Sequence, residues 1–312
     1  MRNLFSKEVT RLAEADPRVV LLSGDIGNRL FDDFKARCPG RFFNCGIAEG
    51  NMMGVAAGMA LEGMRPVVYT IAPFTTTRCL EQIKLDVCYH NVPVVIAGTG
   101  AGLSYAELGA THHSCEDIAI LRVLPGMTVF CPCDPVELRL GLSAALAAPG
   151  PVYLRLGKKG EPELHAAPPP GFALGRAATL REGRDLCLIA TGTIMPEALR
   201  AAELLAEAGL SARVESFHTV KPLDEARLAE LFAAYGLVAV LEEHSRIGGL
   251  GSAIAEWAAA AEPRPRARMV CFAAADVFLH KVAFQSHARH LFGLTGDAVA
   301  ARLRGISPRS GP

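Results

Sequence analysis

Short runs of Val, Ile and Leu alternate with helical patterns along most of the chain. "RVVLLSGD" (18–25), "RPVVYTIA" (65–72), "VPVVIAGTG" (92–100), "MTVFCPCD" (127–134) and "PVYLRLG" (151–157) read as strands. Between them, "GNMMGVAAGMAL", the amphipathic "CLEQIKLDVCYH", "CEDIAILRVLP" and the Pro-led "PVELRLGLSAALAA" read as helices. Continuous apolar strands separated by helices predict a parallel sheet covered on both faces. Proline at the opening of a helix suits the first turn, where its missing N–H costs nothing.

The rhythm breaks after "PVYLRLG", where Pro168-Pro169-Pro170 and scattered glycines predict a semi-extended linker over 161–183. A second α/β pattern follows, with strands "LCLIATGT", "SARVESFHT" and "LVAVLEEHS" and three helical stretches. The predicted fold class is therefore α/β with two domains, 1–160 and 184–312, each a mostly parallel sheet with helices on both faces. The two halves show no sequence repeat. "IGGLGSAIAE" after a strand resembles a dinucleotide loop, but Gly248, Gly249 and Gly251 miss the G-x-G-x-x-G spacing, and tight helix–strand packing explains them better.

Composition narrows the function. Lys+Arg and Asp+Glu both number 32 in 312 residues, and no basic stripe is present, which argues against a nucleic-acid partner. Nine scattered cysteines read as reduced thiols of a cytoplasmic protein. Cys131-Pro132-Cys133 has no second Cys/His pair at zinc-finger spacing, so no metal site is expected there. No run approaches about 18 apolar residues, and no membrane span is expected.

Chemistry collects at the strand–helix junctions: Asp25 in "LSGDIG", Glu49 at the entrance of an Ala/Gly/Met helix, Phe74 in "YTIAPFTTTR" and His112 in "LGATHHSCED". An acid in a first helical turn suits the helix dipole and needs no other purpose. Open α/β sheets, however, bind ligands beyond the carboxyl ends of their strands, where these residues fall.

The ordered series "SGDI", "NCGIAEGNMMGVAAGMALEGMRPVVYTIAPF", "ELGATHHSCEDIAILRVLPGMTVFCPCD" and "PVYLRLGK" resembles the pyrimidine-binding domain of transketolases. "LIATGT", "HTVKPLD" and "LEEHSRIGGLGSAIAE" resemble their C-terminal domain. The resemblance implies thiamine diphosphate as cofactor. It implies that Glu49 bonds N1′ of the aminopyrimidine, holding or sharing the proton, and that Phe74 stacks on that ring. Asp25 and Ile26 would lie near the thiazolium, and His112 would assist proton transfers on substrate hydroxyls, with His113 standing where glutamine is commoner.

A complete transketolase also carries a Gly-Asp-Gly motif that binds Mg2+ and the diphosphate, and this chain has none. The resemblance thus implies a partner subunit bearing the diphosphate-binding domain and the Mg2+ ligands, in a heterotetramer. Three substrate positions depart from the family pattern. Leu108 replaces an acid that reads sugar hydroxyls, Gly100 replaces a histidine, and Cys131 replaces the arginine of Arg-Pro-x-Asp. Arg29, Arg78 and Arg139 could supply substitute cations. The expected activity is transfer of a two-carbon ketol unit with a non-standard substrate. The alternatives are a 2-oxo-acid decarboxylating acyl or aldehyde transferase subunit and a non-catalytic regulatory paralogue.

Overall fold

A computed structural model describes residues 1–27, 29–280 and 284–306. The final residues of the expected second domain, 307–312, lie outside the described part. Twelve strands in the described residues form two sheets. The first has the order β10-β5-β6-β4-β3-β1-β2, and the second β12-β11-β8-β9-β7. The strands are β1 (Val19–Ser23), β2 (Phe42–Asn44), β3 (Arg65–Ile71), β4 (Val95–Thr99), β5 (Thr128–Phe130), β6 (Val152–Leu156), β7 (Ala178–Arg181), β8 (Leu186–Thr191), β9 (Ala212–Ser216), β10 (Thr219–Lys221), β11 (Leu237–Ser245) and β12 (Arg268–Ala274). All pairings are parallel except those of the two edge strands β10 and β7.

The apolar runs explain the strands. β1, β4, β6 and β8 are buried along their whole length, as a sheet covered on both faces requires. Helix Arg2–Ala15 inserts Phe5 on one face of the first sheet, with Phe31, Phe34 and Tyr69, while helix Glu49–Leu61 seats Met52, Met53 and Ala56 on the other. That second cluster runs without a break into Ile189, Phe217, Val238 and Ile254, so the two sheets share one apolar core.

Two expectations about the halves are refined. The stretch 161–183 ends in strand β7, and much of the remainder is docked rather than free. His165 is held by Asp134, and Phe172 stacks on His218 with ring centroids 4.6 Å apart. The second half also returns a strand to the first sheet, because β10 pairs antiparallel with β5. Both are short antiparallel edge pairings between segments distant in sequence, which local periodicity does not reveal.

The glycine loop "IGGLGSAIAE" holds no room for a phosphate. Glu242 accepts N–H bonds from Leu250 (2.7 Å) and Gly251 (2.9 Å) and fills the start of helix Leu250–Ala260 with its own carboxylate. A Cβ at Gly249 would meet Glu242 Oε2 at 2.0 Å. Close packing, as expected, is what these glycines serve. No described helix is long and apolar enough to cross a membrane.

Candidate active site

The parallel strands of the first sheet run in one direction, so the segments leaving their carboxyl ends gather at one edge. Asp25 and Ile26 follow β1, Glu49 follows β2, Phe74 follows β3, and the loop holding Gly100, Leu108, His112 and His113 follows β4. Tertiary structure brings three of them together around a fourth. Glu49 opens helix Glu49–Leu61 and is 3% exposed. Its Oε1 accepts a 2.7 Å bond from Arg78 Nη1. The same guanidinium lies over the Phe74 ring, 4.1 Å from its centroid. The His112 ring meets Phe74 edge-on at 5.3 Å.

Glu49 is the first residue of its helix, after Ala48, which offers no capping side chain, and an acid there suits the helix dipole. Gly24 after β1 lets the chain pack closely between Glu49 and Thr70, since a Cβ there would stand 3.3 Å from Glu49 Cγ and 3.2 Å from Thr70 Cβ. Asp25 has a left-handed backbone, φ 55°, and its side chain accepts a 2.9 Å bond from Asn44 Nδ2. Ser23 Oγ donates to the Ile26 carbonyl at 2.6 Å and sets the turn that presents Ile26. Arg29 lies exposed a few residues farther on.

The loop after β4 is anchored from beneath. Arg155 on β6 donates to Asp117 at 2.8 Å and to the Ser114 and Glu243 carbonyls at 3.0 Å each, and Tyr153 donates to the same Asp117 oxygen at 2.6 Å. Glu243 on β11 accepts the Leu103 N–H at 2.7 Å, fastening the other end. His112 rides on this braced loop, with Thr111 Oγ1 2.9 Å from its Nδ1. Burial, and secondly the charge of His113, hold its imidazole below the ordinary value, which favours the neutral form. Leu108 ends a single helical turn, Ala106–Leu108, and is half exposed.

Several expected pocket residues fall elsewhere. Cys131 is fully buried; burial pushes its thiol up to about 12, and its backbone N–H bonds the His218 carbonyl. It lines no accessible surface. Gly100 (φ 72°) opens no room for substrate, because a Cβ there would strike the Tyr105 ring at 1.9 Å. Its bareness serves that ring. His113 lines a different, largely apolar cleft with Leu103, Ala110, Cys115 and Phe278. Arg139 faces Glu8 at 3.5 Å, against the first helix.

Arg78 reaches Glu49 and Phe74 rather than a spare cationic position, and its spacing in "PFTTTR" could have signalled this: a turn of helix after Phe74 returns the chain to the same side. Lys158, just past β6, escaped the sequence reading. It pairs with Glu107 and lies over the Tyr105 ring, 4.7 Å from its centroid, beside Leu108.

Apolar side chains stand exposed near this mouth. Ile47, two residues before Glu49, is 79% exposed, and Phe43 and Val55 are also open. A site so bordered is suited to closure by another surface.

Comparison with known proteins gives the family of the chain. A split-gene transketolase, solved as an inactive β4 tetramer, superposes with a TM-score of 0.86 at 38% identity, covering 97% of this chain and 96% of that one. One of the subunits of an apulose-4-phosphate transketolase from Phocaeicola vulgatus is 38% identical over 256 residues, 82% of each chain. The 6-deoxy-6-sulfo-D-fructose transketolase subunit SqwH of a Clostridium species is 36% identical over 310 residues, 99% of this chain and 95% of that one. Residues 1–161 match the transketolase pyrimidine-binding domain and residues 175–299 the transketolase C-terminal domain, and the chain belongs to the transketolase family, with the split subunits among its relatives.

Proposed function

We propose that this chain is the pyrimidine-binding subunit of a two-chain, thiamine-diphosphate-dependent transketolase, joined in a heterotetramer by a subunit that carries the diphosphate and Mg2+ ligands. The observation that carries the reading is the Glu49–Arg78–Phe74 arrangement. A flat nitrogenous cation lies on the aromatic face and donates a hydrogen bond to the buried acid, the two interactions an aminopyrimidine would make in the same place. When bound, the cofactor supplies a nucleophilic carbon that carries the two-carbon ketol unit. Glu49 would hold the proton at N1′, and Phe74 would fix the ring plane. Neutral His112, braced at 5.3 Å from Phe74, would take and return a proton of a substrate hydroxyl. Ile26 would press on the cofactor from the β1 turn. The exposed Phe43, Ile47 and Val55 support docking of a partner beside the site.

Leu108 supports a substrate unlike the common sugar phosphates. It stands half exposed on the braced loop and cannot accept a hydroxyl hydrogen bond, so it favours a deoxygenated carbon. Arg29 after β1, and Lys158 on exchanging its Glu107 partner for the substrate, would be the cations for an acidic terminus. One relative is named for a 6-deoxy-6-sulfo sugar, a deoxygenated substrate of the kind such a pocket would take.

The test is reconstitution with a diphosphate-domain subunit, thiamine diphosphate and Mg2+. Ketose cleavage with transfer to an aldehyde acceptor is expected. Carbon dioxide release from a 2-oxo acid instead would identify a decarboxylating transferase subunit, and assembly without turnover would identify a regulatory paralogue.

A further inference from the structure

Away from this site, three side chains of metal-binding type converge in the interior. Cys133 Sγ, a Glu137 carboxylate oxygen and a His165 ring nitrogen all lie within 4.8 Å of one another. All three residues are buried: Cys133 is 1% exposed, Glu137 0% and His165 7%. Helix Pro135–Ala147 sets the first two. Asp134 caps it, accepting the Glu137 N–H at 2.8 Å, and Glu137 Oε2 reaches back to accept the Cys133 N–H at 2.7 Å. That reciprocal cap leaves Glu137 Oε1 without a hydrogen-bond partner.

His165 comes from the stretch after β6. Its Nδ1 lies 3.1 Å from Asp134 Oδ2, and its backbone N–H donates to the same oxygen at 2.9 Å. Asp134, an acceptor, thereby fixes the tautomer that carries hydrogen on Nδ1. Nε2 is left without a hydrogen-bond partner, 3.8 Å from Glu137 Oε1. A carboxylate that orients an imidazole so that its other nitrogen faces inward is the recurrent support of a histidine metal ligand. Two buried, unpartnered polar atoms facing one gap are otherwise costly.

Against the expectation from the sequence around Cys131-Pro132-Cys133, we infer that Cys133, Glu137 and His165, with a water as fourth ligand, form a buried zinc site that clasps the 161–177 stretch onto the start of helix Pro135–Ala147. Thiolate, imidazole and carboxylate together suit Zn2+ better than a hard cation such as Mg2+, which takes oxygen ligands. Binding forms bonds from zinc to Sγ, Nε2 and a Glu137 oxygen, and breaks the Cys133 S–H bond, whose proton passes to solvent. Because that proton is released, metal uptake should weaken as pH falls. The site joins the two halves: Cys133 packs in the apolar cluster of the second sheet, with Leu164 against it. It has no part in the chemistry around Glu49, so its test is independent of the proposed activity.

The full chain, purified without chelator after growth with added zinc, should hold about one zinc ion, as a single site of this kind would. Elemental analysis reads that content. Replacement by cobalt should give the ultraviolet thiolate-to-cobalt charge-transfer band and visible bands of a tetrahedral site. C133S should remove the charge-transfer band, H165Q should lower metal content to near zero, and a strong chelator should lower Tm in the parent chain but not in H165Q. The rest of Cys133's contacts survive in H165Q, so that variant carries the test if C133S fails to fold. A chain free of zinc and showing no cobalt band, or a band unchanged in both variants, overturns the proposal and leaves the three residues to a shared proton and a buried water.

Discussion

Arg78 holds Glu49 and covers Phe74 at once: the guanidinium donates to the Glu49 carboxylate at 2.7 Å while lying 4.1 Å above the ring. Both faces a flat cofactor ring would need are taken by one half-exposed side chain. Arg78→Ala leaves the buried Glu49 carboxylate without its partner, so it should fold but lose roughly 1–3 kcal/mol of stability. In the reconstituted complex it should tighten thiamine diphosphate several-fold by removing a competitor. Calorimetry decides; weaker binding would make Arg78 a cofactor contact instead.

Glu49→Gln should fold and assemble normally yet lose most turnover. An amide keeps the shape and an acceptor for Arg78 but cannot pass a proton at N1′, a contribution typically of ~10²–10⁴-fold. Near-parental turnover in the reconstituted complex would return Glu49 to the helix dipole alone.

The isolated chain should bind thiamine diphosphate and Mg2+ weakly, because two phosphates and a divalent cation need oxygen ligands and N–H donors that the pyrimidine-binding edge does not gather. Tight binding by calorimetry without a second subunit would contradict the two-chain reading.

Leu108→Asp should shift preference toward hydroxyl-rich aldehydes. A sugar hydroxyl buried against leucine lacks its acceptor, at roughly 1–3 kcal/mol, so about a tenfold change or more in relative kcat/KM is expected. An acceptor panel with the reconstituted complex reads it. An unchanged order of acceptors would show that Leu108 does not touch the substrate.

His112 should titrate below the ordinary histidine range, owing first to burial and second to His113. His113→Gln should therefore raise its midpoint in an NMR titration. The sign for stability follows: with the folded value depressed, the contribution of neutral His112 is complete above the unfolded value of about 6.5 and is lost as pH falls through the lower folded value. A midpoint unmoved by His113→Gln would remove the second cause.

Arg155→Met should destabilise strongly, by about 3–5 kcal/mol in urea unfolding, because it strands the fully buried Asp117. Adding Asp117→Asn should recover part of the loss, since a neutral amide is cheaper to bury than an unpaired charge.

The alternation of apolar strands and helices was enough to fix the α/β class, the two sheets and the edge where loops gather, because hydrophobic periodicity is a local property of the chain. Phe74 and His112 stood out for the same reason, since each follows a strand that could be read and parallel strands deliver their loops to one side, whereas Glu49 stood out only as the lone acid opening an Ala/Gly/Met helix. Strands β2 and β5 are three residues long, and β7 and β10 pair across the sequence, so β2, β7 and β10 gave no periodic signal. Whether a loop residue faces the site or the core was decided only in three dimensions. Cys131 and Gly100 sit just past strand ends on the same sheet, yet the His218 backbone and the Tyr105 ring close over them. The Arg78–Glu49 contact and the gathering of Cys133, Glu137 and His165 depend equally on side chains converging from separate segments. Periodicity says which face of an element is buried; only packing says what that face meets.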